Sequence, residues 1–137
     1  AGAGEIDFRD GLPANVVDCG FVSEEEKAAL IEGALCLIQL SENESLSIVL
    51  FESWLRGTPV IVSKNCDVTE HHIAKSNGGF AIVSMEEFRD AIRQLSNKST
   101  RATLAKNGLS YLHSTYSWDA VASRFTEFLK KIDIFRA

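Results

Sequence analysis

An α/β domain built on a parallel sheet, with helices on both faces, is predicted by three observations. Short apolar runs alternate with helix-length patterns along the chain. Two of the runs are apolar almost without a break, which suits strands covered on both faces rather than wetted on one. The 137 residues, 45% of them hydrophobic, can furnish one continuous core.

The strand candidates are Val16 to Val22 (VVDCGFV), Leu35 to Leu40 (LCLIQL), Pro59 to Ser63 (PVIVS) and Gly79 to Val83 (GFAIV), the second and third being the continuous ones. Between the first two, SEEEKAALIEGA opens with Ser23 and has Glu26 three places on, a capping box that satisfies two orphan amides at a helix start. Ser47 to Arg56 lies between two strands and reads as a buried crossover helix, ended by Gly57 with Pro59 beyond. Asp67 to Glu70 (DVTE) has the form of a cap and box before another helix, which KSNGG terminates. Ser84 and Glu87 repeat the box, followed by Met85, Phe88, Ile92 and Leu95 on a stripe expected to be buried. The last pattern runs from Ser117 to Phe135 and aligns Trp118, Val121, Ala122, Phe125, Phe128, Leu129 and Ile132, so a long docked helix is expected. No repeat, low-complexity tract or linker interrupts the chain. A single domain over 1–137 is expected, with residues 1–15 its least defined part.

A formal net charge of -5 and a pI near 5.2 argue against a phosphate-backbone binder, so nucleic acid is not an expected partner. No apolar run approaches the roughly 18 residues needed to cross a bilayer, and the start lacks the basic flank and apolar core of a signal. A soluble, cytoplasmic protein is expected. Three cysteines without CxxC spacing, Cys19, Cys36 and Cys66, read as reduced core thiols. Adjacent His71 and His72 would point about 100° apart on a helix and would not share a metal. His113 reads as a helix-surface or helix-end residue.

Glu52 poses a question, because it stands among Ile48, Val49, Leu50, Phe51, Trp54 and Leu55. An ionised carboxylate there costs several kcal/mol unless paired or hydrogen-bonded. One answer is an ion pair with Arg56, four residues on, in the favourable acid-before-base order. The other notices Glu44, just before the helix, at the carboxyl end of a strand where doubly wound sheets bind ligands. The amides of Ser45, Leu46 and Ser47 would be free at that helix start, where the macrodipole favours phosphate. Carboxylates flanking such amides match a nucleotide diphosphate sugar, whose hydroxyls donate to carboxylates. Alternatively, Glu42 and Glu44 are simple N-terminal acids that stabilise the dipole.

These residues resemble the carboxyl-terminal, donor-binding domain of retaining GT-B glycosyltransferases of the group 1, or family 4, type, which carry a Glu-x7-Glu motif. Glu44 and Glu52 match that motif. The order around them matches too: DCGFVSEEEKAALIEGALCLIQLSENESLSIVLFESWLRGTPVIVS has the family's strand, helix, apolar strand, serine, motif and Gly-Thr-Pro-Val. Glu70, Asn77 to Gly79 and Tyr116 to Trp118 also fall where the family has similar residues, and the likeness covers roughly Val16 to Phe128.

The resemblance implies a Rossmann-like half of a two-domain enzyme that transfers a sugar, of hexosyl type, with retention. Glu44 would be the catalytic residue that touches the donor sugar and stabilises its positive centre, and Glu52 would hold the ribose hydroxyls. The amides of Ser45, Leu46 and Ser47 would cradle the diphosphate, and Val22 and Lys27 would lie at the nucleobase. No cofactor or metal is implied, because cationic side chains and helix amides neutralise the leaving group. The resemblance places those cations in a segment before this chain's start and the sugar or lipid-linked acceptor on a separate amino-terminal domain. AGAG would then be the Gly-rich turn after the first strand. It follows that the isolated domain would be inactive, and that any peripheral attachment at the inner membrane face would belong to the full-length protein. Polysaccharide biosynthesis is the family's commonest setting. Two departures stand out: Ser45, Leu46 and Ser47 replace the family's Gly-Phe-Gly, and Leu40 replaces a proline before Ser41. Serine does not cheaply adopt a positive φ. A degenerate module of the same fold, acting by interaction alone, is the rival reading.

Overall fold

Residues 11–132 are described by the structure, a computed structural model. The AGAG turn and the end of the last helical pattern lie outside those residues. The element order is α1 (Glu24–Gly33), β1 (Leu37–Gln39), α2 (Ile48–Leu55), β2 (Val60–Ser63), α3 (Asp67–Ser76), β3 (Gly79–Ile82), α4 (Met85–Leu95), α5 (Lys98–Tyr116) and α6 (Trp118–Lys131). The three strands form a parallel sheet in the order β1-β2-β3, with Ile38 opposite Ile61 and Ile61 opposite Phe80.

Alternation along the strands divides the core between the two faces of the sheet. On one face Val60, Val62 and partly buried Leu37 pack with Leu50, Phe51, Trp54, Ile73 and Leu112, from α2, α3 and α5. On the other, Ile61 and Ile82 pack with Ala91, Leu95 and Leu104, from α4 and α5. Both faces of β2 are therefore covered, and all four of its residues are buried. β1 is not covered in this way: Ile38 is 47% exposed, because no described helix lies over it on the α4 side.

The Val16 to Val22 run is not a strand. It is irregular and unpaired, bent at Gly20, whose φ is 57° and whose amide donates to Asp18 Oδ1 (2.8 Å), with Val17 81% and Phe21 86% exposed. In the classic doubly wound order, 3-2-1-4-5-6, the strand before the switch point is separated by two others from the strand after it. Among the described residues no strand fills that gap beside β1, so the run has no ladder to join.

Local signals set the helix ends. The Ser23 box forms in full: the Glu26 amide donates to Ser23 Oγ (3.2 Å) and the Ser23 amide to Glu26 Oε2 (2.8 Å). α2 closes with a Schellman motif, in which the amides of Gly57 and Thr58 donate to the carbonyls of Trp54 (3.1 Å) and Ser53 (2.9 Å). Gly57 has φ of 73°, where a Cβ would be strained. Three expectations are corrected. α3 starts at Asp67 behind an uncapped Cys66, so DVTE makes no box, the Asp67 side chain already lying inside the first turn. Ser84 caps α4, but Glu87 reaches past it to the Val83 amide (2.7 Å), and Met85 is exposed beside that reach. α6 begins at the Ser117 cap as expected, yet none of its described residues is buried: Trp118 is 87% exposed, because among the described elements the helix packs chiefly on α5. α5, capped by Asn97 and carrying exposed His113 in its last turn, is an element the sequence pattern did not announce.

Of the cysteines only Cys66 is buried; Cys36 is half-buried and Cys19 is exposed on the unpaired run. None of the described helices is long and apolar enough to cross a membrane.

Candidate functional site

The loop from Leu40 to Ser47 leaves the carboxyl end of β1 and turns into α2. Ser47 is its pivot, at φ 59° and ψ 68°, so a serine does adopt the left-handed conformation here. The turn aims the start of α2 at the carboxyl end of the sheet. Ser47 makes no side-chain cap bond, and the amides of Ser45, Leu46 and Ser47 donate to no acceptor among the described residues. Free amides and an uncapped helix end bring partial positive charge to this corner, beside the carboxylates of Glu42, Glu44 and Asp67.

Glu44 sits beside them, half-buried, with its Oε1 accepting from Gln39 Nε2 at 2.9 Å. Glu42 accepts from Asn65 Nδ2 at 3.2 Å. Both glutamates, with Ser45, Asn65 and the first residues of α3, line an open cavity of about 590 Å³. Gln39 and Asn65 did not stand out in the sequence, although each is a polar residue at or just past the carboxyl end of an apolar strand, where ligand-facing groups collect.

Glu52 faces elsewhere. It is only partly buried, and its partner is Lys27 of α1, with Nζ 2.9 Å from Oε1, rather than Arg56. The expected Glu52–Arg56 pair is absent among the described ion pairs; Arg56 lies at the exposed end of α2, whereas α1 presents an ammonium to the side of the helix. Lys27 also holds Glu24 Oε2 at 2.7 Å, and Glu24 first, then Glu52, raises its pKa above the usual 10.5. Two of the expected donor contacts, Lys27 and Glu52, are thus brought together. Val22 is half-buried in the turn leading to α1. Glu70 lies in the first turn of α3, where it serves the helix dipole.

Behind the loop stands a cluster the sequence did not reveal. His72 is 3% exposed, its Nδ1 3.1 Å from Tyr111 Oη, and its ring is flanked by Phe51 and Tyr116. Burial first, and the charge of His71 second, push its pKa below the ordinary value, with the Leu46 backbone opposing. Burial also pushes the Tyr111 phenol up to about 12, so it stays protonated. With Ser45, Leu46 and Tyr116, His72 lines a second cavity of about 410 Å³. The Cys66 thiol lies in the first cavity's wall with its pKa lowered, chiefly by hydrogen bonds from Thr69.

The family model described as glycosyl transferases group 1 matches residues 9–111, and so includes both motif glutamates but stops short of Tyr116 to Trp118. Over 111 residues, 80% of the chain, it is 27% identical to the alpha-1,3/1,6-mannosyltransferase ALG2 of Mus musculus. The crystal structure of WaaG, a glycosyltransferase involved in lipopolysaccharide biosynthesis, superposes with a TM-score of 0.54 at 26% identity over 67% of the chain. The chain spans about a quarter of the length of each, 27% and 26% respectively. With its parallel sheet, its loop of free amides and a family match over most of its length, the chain belongs to the group 1 glycosyltransferases.

Proposed function

We propose that this chain is the donor-binding domain of a retaining, hexosyl-transferring enzyme, and that it binds a nucleotide diphosphate sugar at the Leu40–Ser47 loop. One observation carries the reading: an uncapped helix start with three free amides, Ser45 to Ser47, stands next to the half-buried Glu44 at the carboxyl end of β1. Amides gathered at that point take a diphosphate, and they stabilise the charge that builds on it as the sugar leaves. Glu44 accepts from the sugar hydroxyls and stabilises the positive sugar centre, oriented by Gln39. Glu52, held by Lys27, keeps a second carboxylate oxygen for the ribose hydroxyls, while Lys27 and Val22 border the base. Because amides and side-chain cations neutralise the leaving group, this reading requires no metal or cofactor. The acceptor, a sugar or a lipid-linked sugar, belongs to a second domain outside this chain, as do further cations for the diphosphate and any membrane-surface attachment. The chain alone therefore binds donor without turning it over.

Titration of the chain with UDP, GDP and ADP, followed through backbone amide shifts, tests this. One nucleotide should selectively move the amides of Ser45 to Ser47, and Glu52→Ala should weaken it while the spectrum stays folded. If millimolar amounts of all three leave those amides in place, this chain has no donor site.

A further inference from the structure

Two buried side-chain polar atoms have no hydrogen-bond partner among the described residues, Ser47 Oγ and His72 Nε2. Buried polar groups are nearly always paired, so each orphan calls for an explanation. One is in the Ser45–Ser47 loop, and the other lines a cavity together with Ser45 and Leu46. The ring of His72 has little freedom: Phe51 meets it at 5.1 Å, Tyr116 at 5.8 Å, and Tyr111 Oη sits 3.1 Å from Nδ1. The Nδ1–Oη contact fits either tautomer; in the one where the Tyr111 hydroxyl donates to Nδ1 the ring proton is on Nε2, and the backbone that interacts with the ring is that of Leu46.

We propose that His72 is a positioning residue for the phosphate-binding loop: its Nε2–H takes the Leu46 carbonyl when the loop's amides take a diphosphate. The inference rests on the donor-binding reading above. Its physical basis is the planarity of the peptide unit. The Leu46 carbonyl and the Ser47 amide are opposite ends of one rigid group, so a bond that holds the carbonyl toward α3 directs the Ser47 N–H away from it, toward the cleft. Nε2 makes no hydrogen bond of ordinary geometry, yet the Leu46 backbone is near enough to hold the ring's pKa up against burial, so a small shift of the loop closes the bond. The imidazole thus couples an aromatic cluster of α2, α3 and α5 to the direction of one amide.

The test uses the 137-residue chain with UDP, GDP and ADP as probes, in wild type, His72→Phe and His72→Gln. Phenylalanine keeps a ring among Phe51 and Tyr116 but has neither nitrogen, and nucleotide affinity should fall about tenfold while the free spectrum stays dispersed. Glutamine places an N–H near the position of Nε2 and should restore most of that loss. In wild type the His72 Nε2–H resonance should move downfield on saturation, in step with the Ser47 amide. The inference is overturned, with the donor site intact, if wild type binds and His72→Phe binds equally well, if glutamine fails to rescue, or if the Nε2–H signal stays put. A wild type silent to all three nucleotides overturns the donor-site reading and this inference together.

Discussion

Lys27 and Glu52 join α1 to α2 through a 2.9 Å ion pair in which each side chain is 31% exposed. That exposure sets its worth. Water screens the pair, and ordering two long side chains offsets much of the Coulomb gain. A double-mutant cycle of Lys27→Ala and Glu52→Ala should show a small favourable coupling by urea denaturation, smaller still at high salt. Arg56→Ala should change stability by less than about 0.5 kcal/mol, since Arg56 holds no described carboxylate. A coupling of zero would remove Lys27 as the partner that fixes Glu52.

Trp54 and Gly108 are in contact with no room between them. The indole is fully buried, its Nε1 donates to the Gly78 carbonyl at 2.9 Å, and a Cβ on Gly108 would stand inside its van der Waals surface. Because both neighbours are backbone, on α5 and just before β3, the ring has little room in which to yield. Gly108→Ala should cost about 1–3 kcal/mol through overpacking. Trp54→Ala should cost about 3–5 kcal/mol through the cavity, with further loss from the unpaired carbonyl. Urea midpoints would measure both, and a neutral Gly108→Ala would show that α5 does not press on α2.

These contacts also mark where the sequence was readable. β2 was legible because all four of its residues are apolar or small and its neighbours enclose them, so burial and pattern coincide. Ser23 and Glu26 lie three apart, and the capping box needs nothing from elsewhere. The Val16 to Val22 run has the composition of a strand, but pairing is a property of two segments, and none of the described strands is its neighbour. The stripe on α6 likewise states what the helix could bury, not what is present to bury it. At the candidate site, the place of Glu44 in a loop between an apolar strand and α2 could be read from the order of the elements. The Glu52–Lys27 pair spans 25 positions and the His72–Tyr111 bond 39, so both depend on how elements pack and leave no local trace.

Ser47 bears two costs at once. Its φ of 59° strains a residue with a Cβ, and its hydroxyl is buried without a partner. Ser47→Gly relieves both, against a larger loss of backbone freedom on folding, and should stabilise the chain by about 0.5–1 kcal/mol. Ser47→Ala relieves only the hydroxyl and keeps the strain, so it should gain less than glycine. Thermal or urea unfolding of the two variants separates the contributions. Should glycine destabilise, the Ser47 hydroxyl has a partner in solution, and the loop holds its shape through it.

His72 gives stability a pH dependence whose sign follows from burial. Its folded pKa lies below the ordinary 6.5, pushed down first by burial and next by His71. Between the two values the unfolded chain carries a proton that the folded chain does not, so stability rises with pH there. The contribution is therefore complete above about pH 6.5 and is lost as pH falls below it toward the folded value. Glu26, held down mainly by the Ser23 backbone, and Glu87, held down mainly by the Val83 amide, act lower. Their contributions are present above the ordinary 4.5 and are lost as pH falls through their depressed values. Urea midpoints followed downward from about pH 8 should then show two separate declines. His72→Phe should flatten the upper decline and leave the lower one in place, because phenylalanine has no proton to gain and the two glutamates are untouched. A wild-type midpoint that stays level until the carboxylate range would mean that His72 protonates as easily folded as unfolded, and that the ring is open to water rather than enclosed by Phe51, Tyr111 and Tyr116.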